Sequence, residues 1–189
     1  MSKKMTVNDI AGFCPEEAVW KMIADVSAWL MEEKSDCKLT PNSIVVAGDA
    51  FIVETGCETL DEFLAPEQMN SDFANEKQSV WSLGAVAYYA ATGHIIFGGH
   101  GGRYQAQHPS VSLPILQKGL LQLTYVLQKC LCCNPLDRVT LSELHSMSIN
   151  GLQKCRAQKR EKTTASIKTN QSEITEQLGY NWPEKMIEI

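Results

Sequence analysis

Three groups of residues in this chain of 189 have types and spacings that could do chemistry. The first is Gly98-Gly99-His100-Gly101-Gly102-Arg103. Glycine-rich backbone exposes N–H groups that can cradle an anion. A phosphate loop, however, follows a strand and opens a helix. This run follows an apolar helical stretch, so it reads as a flexible connector. The second group is Cys130-Leu131-Cys132-Cys133, with His145 further on. Zinc sites show paired C-x-x-C spacing with two more ligands. Only one such spacing is present, so these read as buried helix-end thiols. The third group, His94, His100 and His108, is spread along a loop without ligand spacing. No metal or cofactor is expected. No G-x-S-x-G elbow marks a nucleophilic serine. Trp29 and Trp81 read as core. Trp182 stands in a polar tail, where packing onto the body is the first expectation and partner binding the second.

Elements must position whatever these residues do. After a lead-in over residues 1–14, Pro15-Glu16-Glu17 starts a helix, because proline suits the first turn and acids the positive end. Ala18, Val19, Met22, Ile23, Val26, Trp29 and Leu30 recur at helical spacing, and the pattern ends near Glu33. Ile44-Val45-Val46 and Phe51-Ile52-Val53 form a hairpin turned at Gly48-Asp49. Residues 55–76 read as loop. Ser79 to Ala91 is apolar nearly all round, which in a globular protein means central burial, and Gly93 is placed to cap it. Leu113 to Leu131 is helical in pattern. Thr140-Leu141-Ser142-Glu143 is a capping box for one more helix. From about residue 151 polar residues dominate, giving a body over 15–150 and an extension over 151–189. The fold expected is mainly α with one small hairpin.

Composition narrows the function. Hydrophobic residues make up 44% and the net charge is −5. That supports a core and argues against nucleic acid, which requires a clustered basic surface. No apolar run reaches the roughly 18 residues of a membrane span. No apolar stretch follows Lys3-Lys4, so no secretory signal is expected. With seven cysteines, an odd number, the expectation is free thiols in the cytoplasm.

Four landmarks in order carry a resemblance over roughly residues 15–148. Leu39-Thr40-Pro41-Asn42-Ser43-Ile44-Val45-Val46 resembles the end of a protein kinase catalytic loop and its following strand. Ala65-Pro66-Glu67 matches the A-P-E triplet. Val80-Trp81-Ser82-Leu83-Gly84-Ala85-Val86-Ala87-Tyr88, with Thr92-Gly93 and Phe97, looks like the central helix of the large lobe. Cys130 to Leu144, through Asn134-Pro135 and Arg138, resembles that lobe's last turn and final helix.

The resemblance implies a kinase C-lobe fold in which Glu67 pairs with Arg138. It also implies that catalysis is gone. Asp36, Cys37 and Lys38 stand where the family has His, Arg and the base Asp. Ser43 stands at the metal-binding Asn, Glu54-Thr55-Gly56-Cys57 replaces D-F-G, and Ser79 takes the place of the buttressing Asp. The lead-in is too short for a small lobe and holds no Gly-rich loop. This organisation is similar to the kinase non-catalytic C-lobe (KIND) family, which implies a pseudokinase scaffold that binds a protein or peptide. By position, Gly98 to Arg103 falls at a candidate partner surface, to which Trp182 is added. The apolar face exposed by the missing lobe must be covered by residues 1–14, the tail or a second copy of the chain. Two alternatives stay open: an atypical phosphotransferase using Glu54 or Asp49 for metal, and a subunit whose missing lobe comes from another chain.

Overall fold

Pro15 and the acidic pair after it open helix α2, Glu16–Glu33, whose apolar positions are buried along one face: Val19, Met22, Ile23, Val26 and Leu30. This is the helix expected from spacing, with one change. Trp20 is fully buried and donates its Nε1–H to Glu16 at 3.0 Å, while Trp29 is only half-buried. The computed structural model describes residues 4–33, 38–69, 75–113, 116 and 120–178, with side chains as far as 167. The chain divides into two units, residues 1–152 and 153–189.

Among the described residues the first unit is mainly helical with one two-stranded antiparallel sheet. Strands β1, Ile44–Ala47, and β2, Ala50–Val53, pair Ile44 with Val53 and Ala47 with Ala50 around Gly48-Asp49. The lead-in lies on the outer edge of β1. Thr6 bridges Val45, and the Val46 N–H donates to the Met5 carbonyl at 2.9 Å. A single helical turn, α1 (Val7–Ile10), then buries Val7 completely. On the other side β2 packs on α2, where Asp25 accepts the Phe51 N–H at 3.0 Å and the Lys21 ammonium at 2.6 Å.

Helix α3, Glu76–Thr92, is the centre of the core. Val80, Trp81, Leu83, Ala85, Val86, Ala87 and Ala90 are all inaccessible to water. It begins three residues before the expected start because Asn75 and Gln78 cap it reciprocally, at 3.1 and 2.8 Å. Gly93 closes it at φ 72, where a left-handed residue is needed.

Three expectations need correction. Among the described residues, the pattern over Leu113–Leu131 yields a helix over Leu121–Cys130 (α5), with Leu113, Leu116 and Leu120 outside it. Pro114 and Gly119 in the sequence oppose a longer helix. The glycine-rich run is not simply a connector. It forms a tight turn, Phe97–Gly99, and then opens helix α4, Gly101–Gln107. The loop expected over 55–76 carries two 3-10 turns, Asp61–Phe63 and Pro66–Met69, and α4 packs on both.

Helix α6, Leu141–Leu178, begins at the expected box. Thr140 N–H and Oγ1 both donate to Glu143 Oε2, at 2.7 and 2.9 Å, and the Glu143 N–H returns to Thr140 Oγ1 at 3.2 Å. Among the described residues no helix is long and apolar enough to cross a membrane.

Candidate functional site

Glu67 and Arg138 meet in a bidentate ion pair, both contacts at 2.7 Å. The guanidinium is fully buried as a side chain, and its remaining N–H groups go to the carbonyls of Cys132, Cys133 and Lys77 at 2.7, 2.9 and 3.0 Å. All five donors of the arginine are therefore used. The Arg138 carbonyl in turn accepts the Lys77 ammonium at 2.6 Å. One buried cation thus fastens the Pro66–Met69 turn, the start of α3 and the turn after α5.

Of the residues that the kinase resemblance sets at a catalytic loop, those described are engaged locally or lie in solvent. Asp36 and Cys37 lie outside the described residues. Lys38 is exposed. Ser43 is buried with its hydroxyl consumed locally, donating to the Thr40 carbonyl at 2.9 Å and accepting the Thr40 N–H at 3.0 Å. Glu54 is drawn to Lys4 of the lead-in, and Asp49 is exposed in the hairpin turn. Among the described residues Thr40 Oγ1 is buried with no hydrogen-bond partner.

The cysteines and His145 form no metal-holding group among the described residues. His145 Nδ1 lies 3.1 Å from both Ser27 Oγ and the Ala24 carbonyl, so it fastens α6 to α2. Burial pushes the Cys130 and Cys133 thiols up, Arg138 opposing it only in part. Cys14 is pushed up to about 11 by burial. Protonated thiols are poor ligands and poor nucleophiles. No group of three or more His, Cys, Asp or Glu is placed to hold a metal among the described residues.

The glycine-rich run splits into two roles. Gly101 and Gly102 are buried against the backbone of the A-P-E segment. A Cβ on Gly101, at φ 54, would sit 1.9 Å from the Glu62 carbonyl oxygen, and one on Gly102 would sit 2.0 Å from that of Leu64. These glycines permit contact of backbone with backbone. Gly98, Gly99 and His100 instead border an open groove of about 1090 Å³, which Arg103 leaves by pairing with Asp61 at 2.7 Å. Trp182 lies outside the described residues.

The groove's other walls are residues that sequence reasoning placed elsewhere or passed over. Tyr88 and Tyr89, expected in the core, are half-buried and line it from the end of α3. Tyr89 is fixed there edge-on to Phe63 at 5.7 Å and donates to Asn8 at 3.1 Å. Phe97, the only non-glycine residue at positive φ among the described residues (φ 54), adds a third ring. On α4, Tyr104 stacks on His108 at 4.1 Å and faces His100 at 6.4 Å. The spacing of four between His100, Tyr104 and His108 was the available signal, since such positions share a helix face. Among the described residues no lysine, arginine or carboxylate lines the groove, which offers aromatic faces and hydroxyl and imidazole donors.

No protein-family model matches the chain, and no curated protein matches it.

Proposed function

We propose that the chain is a catalytically silent module resembling a kinase C-lobe, and that its groove binds an extended segment of a protein partner. The observation that carries this reading is the contrast between two places. Where a kinase keeps its base and metal ligands, the serine hydroxyl is spent on its own turn and the lysine is exposed. Beside α4, a large groove presents rings and neutral hydrogen-bonding groups. Nucleotide phosphates need cations or metal to hold them, and this lining supplies neither. A peptide needs what is present: apolar faces for side chains and a few donors for its carbonyls. The strained Phe97 fits a binding surface, because such conformations persist where the surroundings enforce them for a purpose.

Two measurements test the reading together. Calorimetry and thermal shift with millimolar Mg-ATP are expected to show no response. Binding at 100 times Kd would stabilise the fold by about 2.7 kcal/mol, and such a shift would favour the phosphotransferase alternative. Peptides selected from a random display library against the whole chain are expected to lose binding to Tyr104→Ala while the midpoint of unfolding holds. Selected peptides that bind the variant equally well would remove the groove from the proposal.

A further inference from the structure

A separate feature lies in the second unit, on α6 beyond residue 152. From Gln153 to Ile167 the helix carries Lys154, Arg156, Lys159, Arg160 and Lys162 against a single acid, Glu161. Every one of these side chains is exposed. Directly after them come three hydroxyls within four residues, Thr163, Thr164 and Ser166, also exposed. Their donors reach only back along the helix, to the carbonyls of Lys159, Arg160 and Lys162, at 2.9, 3.0 and 2.9 Å.

This stretch of helix carries no continuous apolar face. Apart from Cys155, two alanines and a half-exposed Ile167 it is polar all round, and helices draw most of their stability from packing an apolar face. Threonine and serine are weak helix formers, and their hydroxyls compete for backbone carbonyls. Opening a turn or two into an extended strand is therefore a low-energy event. A protein kinase needs such a strand, and basic-directed kinases choose it by cations on the N-terminal side of the acceptor, a charge pattern that excludes other sites. Arg160 stands three residues before Thr163, with Lys159 and Lys162 on either side of that arginine's turn. Two hydroxyls elsewhere lack these features: Thr140 is engaged in its capping box, and the exposed Ser112 has no lysine or arginine in the eight positions before it.

We propose that Thr163 is a phosphorylation site for a basic-directed serine/threonine protein kinase supplied in trans. In the step, Thr163 Oγ1 attacks the γ-phosphorus of a nucleoside triphosphate. The O–P bond to threonine forms as the bond to the nucleoside diphosphate breaks, and the hydroxyl proton passes to the acting kinase's base. The phosphate brings about −1.5 to −2 charges near neutral pH, which would offset roughly half of the basic excess of this segment. The modified segment would also lose the Thr163 hydroxyl as a donor to Lys159.

The test uses the whole chain with Mg-ATP and calcium–calmodulin-dependent protein kinase as the probe enzyme. The label is located by tandem mass spectrometry. The expected result is first incorporation at Thr163, none in Thr163→Ala, and an initial rate in Arg160→Gln lower by about tenfold or more. That is the loss anticipated from removing one charged hydrogen-bonding group. Arg160 is exposed, so its replacement leaves the fold in place and a matching circular dichroism spectrum confirms it. Label appearing first elsewhere, no label, or a rate indifferent to Arg160→Gln overturns the assignment.

Discussion

At the scale of single residues, Arg138 bears on stability more directly than any other side chain described. Its five donors meet five acceptors, so removing the carboxylate of Glu67 strands a charge that has no route to water. Glu67→Gln should destabilise the fold by about 3 kcal/mol, the lower end of the usual penalty for breaking a buried pair. The lower end applies because the Glu67 side chain keeps 24% of its exposure. Urea unfolding measures this directly, and a loss below about 1 kcal/mol would show the pair to be a surface contact in its energetics. Glu143 offers a test of opposite kind, since it is exposed and its effect is electrostatic. The Thr140 N–H and hydroxyl hold its carboxyl below the ordinary value. A carboxylate lowered in this way stabilises the fold above its unfolded pKa of about 4.3 and loses that contribution as pH falls through the folded value. Glutamine keeps the capping geometry without the charge. Wild type should therefore be more stable than Glu143→Gln at pH 6, the difference shrinking below about pH 4. Unfolding curves across pH 3 to 6 would show it. A gap constant with pH would mean that the box works through geometry alone.

At the scale of elements, α4 is held by contacts that admit no side chain. Replacing Gly102 by alanine would force a methyl against the Leu64 carbonyl, and neither backbone can yield without moving α4 or the A-P-E turn. Gly102→Ala should cost about 2 kcal/mol or more and loosen the groove wall carrying Tyr104. A drop in midpoint on thermal denaturation, with faster hydrogen exchange in α4, is the expected signature, and an unchanged midpoint would mean α4 is free to shift. The same glycines explain why this element was hard to read. Glycine pairs usually mark flexibility, and a sequence does not reveal that another backbone lies within touching distance. The hairpin, α2, the heart of α3 and the Thr140 box were legible because each is written in local terms, as alternation, period or cap. The start of α3 was equally local, in Asn75 and Gln78, but the apolar run drew the boundary to Ser79. The groove was illegible for a different reason. Tyr88 and Tyr89 continue an apolar helix in sequence, and only the placement of Phe97 and α4 beyond its end keeps them half in water. Glu67 and Arg138 could be paired only through the kinase resemblance, because 71 positions separate them.

At the scale of the whole first unit, the lead-in settles how one apolar edge is closed. Residues 4–12 add a short edge to β1, bury Val7, hydrogen-bond Gly12 to the Ala90 carbonyl at 2.9 Å, and seat Asn8 on Tyr89. Among the described residues, the lead-in is what pairs along the outer edge of β1. Removing residues 1–12 would strip a fully buried valine, reopen the hydrogen-bonding edge of β1 and expose Val45 and Ile44. Such an edge is a template for pairing with another chain. Loss of Val7 alone accounts for about 1.5–3 kcal/mol of burial, and the edge pairing adds to it. The truncated chain should therefore unfold at lower temperature and associate with itself as concentration rises, while the full chain does so less at the same concentration. Sedimentation velocity over a concentration series separates the two cases. A truncated chain that sediments as a monomer with its midpoint intact would show the lead-in to be an ornament on a closed core, and the β1 edge would need no cover.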